Sequence, residues 1–100
     1  MDRTEAAALL RREMNAYARR TRGDLTGLIG RVDAYDVQGH GCVSYQVEVS
    51  AHWDAGPGEM IRVIGSIDDG GFRSGLRPVM DGFLVDGAGM VAMADLDTTA

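Results

Sequence analysis

The chain has no lysine, a single cysteine and no long apolar run, and these absences narrow what it can be. Its 10 basic residues are all arginine. Cys42 stands alone, so no disulfide can form within the chain. No apolar run approaches the roughly 20 residues that a membrane-spanning helix needs. Arg11 and Arg12 interrupt the N-terminal segment too early for a signal peptide. We therefore expect a cytoplasmic protein with no membrane contact.

Charge is unevenly distributed along the chain. Residues 1–22 hold six arginines and three acids, a balance of +3, while residues 23–100 hold four arginines and twelve acids, a balance of −8, giving the total of −5. The basic segment either attracts the acidic remainder within one fold or docks to an acidic partner. The net acidity argues against nucleic-acid binding. The length predicts a single domain over residues 1–100.

The segment Val43–Trp53 is the clearest structural signal in the sequence. Its odd positions are apolar, and its even positions are polar or histidine. This alternation predicts a long strand with one buried face and one wet face. We expect the other elements to be arranged around this central strand.

Residues 3–22 are predicted to form a helix. Glu5 follows Asp2 by three positions, which is typical of a capping-box start, and Gly23 suits the left-handed position that ends a helix. Leu9 falls off the apolar stripe, so it contacts either the sheet edge or a partner. The stripe comprises Ala7, Leu10, Met14 and Tyr17, flanked by Ala6.

Strands are predicted on both sides of the central strand. A strand over Leu28–Val37 precedes it through the turn Gln38–Gly41, with Val37 opposite Cys42. A strand over Glu59–Asp68 follows it, with Ile61 opposite Ala51. This register puts Arg31 and Arg62 on either side of Glu48 on the wet face.

The C-terminal third gives weaker patterns. Residues 72–77 are predicted to form a short strand. Because Pro78 cannot donate a hydrogen bond to a neighbouring strand, this strand should lie at an edge of the sheet. Asp81-Gly82 suits a turn. A final hairpin is predicted from residues 83–85 and 90–96.

Together these elements predict an α+β fold in which one N-terminal helix packs on an antiparallel meander of four to six strands. The arrangement resembles the cystatin-like architecture, in which one helix lies on a curved antiparallel sheet. The alternative is a small β-barrel with the helix plugging one end.

No catalytic signature stands out in the sequence. His40 and Cys42 share a turn, but His52 lies roughly 33 Å from Cys42 along an extended strand, so we expect no metal site, and no cofactor is predicted. Trp53 ends the apolar face where the sheet meets a turn, which suits the rim of a small-ligand pocket. The candidate pocket residues are Tyr17, His52, Trp53 and Asp54.

The sheet face away from the helix, which we call the outer face, carries more apolar residues than a solvated face needs. We therefore predict a non-catalytic domain that uses this face to form a homodimer or to bind another protein. The alternative is a small-ligand pocket, or a minor enzyme, between helix and sheet near Trp53. The candidate interface residues are Ile29, Arg31, Tyr35, Glu48, Met60, Arg62 and Ile64, and Val37, Leu84, Val91 and Met93 are also predicted to point outward.

Overall fold

The computed structural model describes residues 2–54, 56, 59–70, 78–89 and 91–94. Within these residues two helices precede five strands. The elements are α1 (Arg3–Ala18), α2 (Arg22–Thr26), β1 (Val32–Gln38), β2 (Ser44–Trp53), β3 (Ile61–Asp68), β4 (Val79–Val85) and β5 (Val91–Ala94), with a 3₁₀ turn at His40–Cys42.

The five strands form one antiparallel sheet in the order β1-β2-β3-β4-β5. The predicted α+β meander is confirmed. The barrel alternative is wrong, because β1 and β5 are the two edges of the described sheet and do not pair with each other. The alternation of β2 holds throughout: Tyr45, Val47, Val49 and Ala51 are buried on the inner face, which α1 covers.

Helix α1 begins as its sequence predicts. The Asp2 carboxylate accepts a hydrogen bond from the Glu5 backbone N–H at 3.0 Å and caps the first turn. The buried stripe is Ala6, Leu10, Met14 and Tyr17, so Ala6 and not Ala7 starts it. Leu9 is half-buried against the core, which makes it an edge contact.

Helix α1 ends four residues earlier than predicted, at Ala18, and Gly23 does not cap it. The Thr21 hydroxyl accepts a hydrogen bond from the Asp24 N–H at 3.1 Å and starts α2. The predicted single helix overlooked this second N-cap, a threonine followed three residues later by an acid. The new start turns the chain so that Leu25 and Leu28 enter the core.

The predicted register of β1 is wrong by three residues, and the error exchanges its faces. Val37 pairs with Tyr45 and not with Cys42. The connection is a five-residue loop over residues 39–43, closed by the Gly39 N–H on the Val43 carbonyl at 2.8 Å, and Gly41 and Cys42 adopt positive φ values of 61° and 65°. Because the shift is odd, Tyr35 and Val37 point to the inner face and not the outer one.

The register of β3 differs from the prediction by two residues, which preserves its faces. Ile61 pairs with Trp53 and not with Ala51. The intervening loop closes where the Asp54 N–H bonds to the Met60 carbonyl at 2.8 Å. An even shift keeps the same side chains inside, so Ile61 and Val63 are buried as predicted.

The predicted final hairpin is confirmed over residues 91–94 by the pairing of β4 with β5, and residues 90, 95 and 96 of the prediction lie outside the described residues. The predicted turn at Asp81-Gly82 is wrong, because both residues lie inside β4. Asp81 is buried on the inner face. Its Oδ2 atom lies 3.1 Å from Arg11 Nε of α1, and this ion pair compensates the cost of burying the carboxylate. The predicted strand over residues 72–77 lies outside the described residues.

Helix α1 packs chiefly over β3 and β4, and Gly65 permits the close approach. A Cβ on Gly65 would overlap the Met14 sulfur and would lie 3.2 Å from Leu10 Cδ1. Met14 and Leu10 are fully buried, so they have little room to withdraw. The absence of a side chain at Gly65 therefore sets the distance between helix and sheet.

We predict that Gly65→Ala lowers the free energy of unfolding by about 1–3 kcal/mol, the usual cost of overpacking. Urea unfolding followed by circular dichroism measures this change. The matched control is Ser66→Ala on the outer face, which should change stability by less than about 0.5 kcal/mol.

A double-mutant cycle identifies the cause. Met14→Ala alone should cost about 2–5 kcal/mol through cavity formation, and Gly65→Ala should fill part of that cavity. The double variant should therefore lose less stability than the two single losses combined. Strict additivity would show that Met14 does not set the helix height at Gly65.

Candidate functional site

The outer face is a regular grid of side chains, because alternate residues of each strand point away from α1. Strand pairing arranges these residues in rows that run across the strands, and four of the rows cross β3. The first row is His52, Arg62 and Leu84; the second is Val32, Ser50, Ile64 and Gly82; the third is Ala34, Glu48, Ser66 and Met80; the fourth is Asp36, Gln46 and Asp68.

Apolar side chains concentrate on β3 and β4 of this grid. Ile64 and Leu84 are half-buried, and Met80 is 40% exposed. We call these three residues the outer apolar patch. At the β1 edge, Val32 is 59% exposed. The patch is contiguous, since Ile64 and Leu84 belong to adjacent rows and Met80 to the next.

Beside the patch, the outer face over β1 and β2 is polar and concave. A shallow depression of about 310 Å³ lies there. Its described lining contains the acids Asp36 and Glu48 and no arginine, so the described part of this half of the face is acidic. The described lining is Ala34, Tyr35, Asp36, Gln46, Val47 and Glu48.

The predicted arrangement of two arginines around Glu48 is wrong. The observed register puts Ala34 and Ser66 opposite Glu48. Arg62 forms an ion pair with Asp54, with Nη2 at 2.6 Å and Nε at 2.9 Å from Oδ1. Arg31 lies 3.8 Å from Asp33. Glu48 is exposed and makes no ion pair within the part of the chain that the structure describes.

The structure brings together three of the seven predicted interface residues: Glu48, Arg62 and Ile64 share the outer face. Ile29 and Tyr35 pack instead against the core, so their predicted outward placement is wrong. Arg31 precedes β1, and Met60 precedes β3 and is half-buried. Leu84 lies on the outer face as predicted and Met80 extends the surface, whereas Val91 pairs with Val85 of the inner face. The location of Met80 required the β3–β4 register.

The four candidate pocket residues do not converge. Trp53 is half-buried against the core, and the Arg22 guanidinium lies 5.7 Å from the centre of its ring. His52 points to the outer face, because neighbouring strand residues point in opposite directions, and its ring lies 3.1 Å from Ser50 Oγ. Asp54 is paired with Arg62. Tyr17 lies on α1 and bonds to Asp33 of β1.

A row of tyrosine–carboxylate hydrogen bonds, which we call the tyrosine seam, was not predicted from the sequence. All three tyrosines of the chain take part, and each bond joins α1 to β1 or β2. A signal was present, because Glu5, Leu9, Glu13 and Tyr17 recur every four residues along one side of α1. The hydroxyl groups of Tyr17, Tyr35 and Tyr45 donate to Asp33 at 2.7 Å, Glu13 at 3.0 Å and Glu5 at 2.7 Å.

The tyrosine seam holds its phenols in the neutral, donating form. Burial, followed by the bond to Glu13, raises the pKa of Tyr35, and burial followed by the bond to Asp33 raises the pKa of Tyr17. The bond to Glu5, followed by burial, raises the pKa of Tyr45 to about 12. A catalytic phenol needs a pKa shifted toward neutral pH, so these shifts favour a structural role.

The Glu5 carboxylate is the acceptor at the N-terminal end of the seam. It accepts from the Tyr45 hydroxyl and from the His40 backbone N–H at 2.8 Å. These two donors, in that order of importance, lower the pKa of Glu5. The same bond thus favours the ionised acid and the neutral phenol.

The described residues contain no group of three or more histidine, cysteine, aspartate or glutamate side chains placed to hold a metal ion. Neither described helix has the length and apolar character needed to cross a membrane. The chain matches no protein-family model, no curated protein and no solved structure. The resemblance to the cystatin-like architecture therefore has no support from a neighbour, and function must be argued from the geometry.

We predict that the Glu5–Tyr45 bond makes stability depend on pH at both extremes. The folded-state pKa of Glu5 is lowered, so its contribution is present above the ordinary value of 4.5 and is lost as pH falls through the folded-state pKa. The folded-state pKa of Tyr45 is raised, so its contribution is complete below 10.0 and is lost as pH rises through about 12.

Urea unfolding of wild type and Tyr45→Phe across this pH range tests the bond. The variant should lose less stability than wild type in both acid and alkali. Tyr35→Phe is the matched control, because it leaves Glu5 and its donors in place and the acid loss due to Glu5 should persist. Superimposable acid limbs for wild type and Tyr45→Phe would refute the role assigned to Glu5.

Proposed function

We propose that this protein is a non-catalytic domain that self-associates through the outer face of its sheet. The observation that carries the proposal is the outer apolar patch of Ile64, Met80 and Leu84. The inner face of the same sheet already holds the hydrophobic core under α1. The patch therefore contributes nothing to that core, and burial against another chain would stabilise it.

Charge complementarity supports a second copy as the partner. The first row of the outer face carries Arg62 and His52, while the third and fourth rows carry the exposed acids Glu48 and Asp36. Arg62 keeps its ion pair with Asp54, so the first row offers its remaining guanidinium donors and the His52 ring, and these can match the carboxylates at the other end after a two-fold rotation. An uncharged or uniformly acidic face would lack this property.

The alternative function, a small-ligand pocket near Trp53, has less support. Such pockets need a few polar groups that converge on one concavity. His52 and Trp53 lie on opposite faces of the sheet, and Asp54 is occupied by Arg62.

We also propose a cytoplasmic location, since Cys42 is an exposed free thiol and a reducing compartment would protect it.

We predict that Ile64→Arg converts a wild-type dimer into a folded monomer. The substitution adds a charge to the centre of the patch and does not touch the inner face. Sedimentation equilibrium at tens of micromolar measures the mass, and circular dichroism verifies the fold.

The matched control is Asn15→Arg, which adds the same charge to the exposed side of α1 and should leave the dimer intact. Two results would sink the proposal. One is a monomeric wild type at these concentrations, and the other is a dimer that Ile64→Arg leaves unchanged.

A further inference from the structure

We infer that the second copy binds with one particular orientation: the two-fold axis lies between the two sheets, runs across the strands and passes through the second row. This inference rests on the proposed function and specifies the partner of the same surface. It follows from the positions of the charged and apolar side chains in the four rows.

Two simple two-fold axes can bring two copies of this face together. When the axis runs along β3, each row faces the same row of the second copy, and β2 faces β4 of the second copy. It places Arg62 against Arg62 of the second copy, and Glu48 against Met80 of the second copy. Asp54 already compensates Arg62, so what opposes association in this orientation is the Glu48 carboxylate, buried against an apolar side chain without a partner.

When the axis runs across the strands, each strand faces the same strand of the second copy, and the first row faces the third row of the second copy. Leu84 then faces Met80 of the second copy, and His52 faces Glu48 of the second copy. Arg62 faces Ser66, one strand away from that glutamate, at the usual strand spacing of about 4.8 Å. This orientation pairs apolar with apolar groups and an imidazole ring with a carboxylate.

The second row lies on the axis itself, so each of its residues meets its own copy. Ile64 meets Ile64 at the centre, and Ser50 meets Ser50 one strand away. Gly82 has no side chain and is buried within one copy, so it adds no group that must be matched across the axis. The row thus contains no charge, which is what self-contact on a two-fold axis requires.

The size of the face is compatible with a modest dimer interface. The three exchanged rows span about six residues of five strands, a plane of roughly 490 Å² at ordinary strand spacings. Side-chain relief raises the accessible area above this plane, toward the ~800 Å² per partner of a standard interface. The acids of the fourth row lie outside the exchanged rows, where solvent screens them.

Cross-linking of two matched serine sites distinguishes the axes. In a Cys42→Ser background, Ser50→Cys and Ser66→Cys each place one thiol on the outer face, at half-buried positions of neighbouring strands. A short bis-maleimide is the probe, because packed sheets stand about 10 Å apart. Circular dichroism and the mass in solution verify that each variant folds and forms the wild-type dimer.

We expect Ser50→Cys to cross-link to itself roughly tenfold faster than Ser66→Cys, because only the former lies on the axis and gains a high effective concentration. Faster cross-linking of Ser66→Cys, or equal rates, in a protein that is dimeric would overturn the orientation and leave the proposed function standing. A monomeric wild type would overturn both.

Discussion

Helix α1 lies close to the sheet because Gly65 presents no side chain beneath Leu10 and Met14. This contact fixes the helix over β3 and β4, so β1 and β2 need long side chains to reach it. The tyrosine seam spans that gap, with Tyr35 and Tyr45 bonding from the strands to glutamates of α1. The hydroxyl groups satisfy polar ends at the margin of the core, while the rings supply apolar area inside it. Because α1 packs closely over β3 and β4, hydrogen bonds of the tyrosine seam connect it to β1 and β2.

This packing covers one face of the sheet and leaves the other without a helix in the described chain. The inner face is complete, since the helix, the seam and α2 surround its apolar residues. In the described chain no helix lies over the outer face, yet that face retains Ile64, Met80 and Leu84 in adjacent rows. Single exposed apolar residues need no explanation, but a contiguous patch bounded by opposite charges is typical of a contact surface. The proposed function rests on this contrast between the faces.

Local patterns allowed most of the fold to be predicted, because alternation and caps depend on neighbouring residues. The strand β2, the Asp2 cap and the final hairpin are of this kind. The β1 register failed because Cys42 adopts a left-handed conformation that non-glycine residues seldom take, which lengthens the loop. The predicted register of β3 was wrong by two residues, which left Arg62 and Ile64 on the correct face of the sheet. The predicted register of β1 was wrong by three residues, which put Tyr35 on the wrong face. The contact between Glu5 and Tyr45 joins positions 40 residues apart, and spacing alone cannot predict it.

The most direct test of the account is to observe which face senses the second copy. Methyl resonances of isoleucine, leucine, methionine and valine, recorded by NMR at increasing dilution, report on each face separately. The account predicts concentration-dependent shifts for Ile64, Met80 and Leu84, and none for the inner-face methyl groups of Met14 and Val47. Shifts confined to other surfaces, or spectra that do not change with concentration, would contradict it.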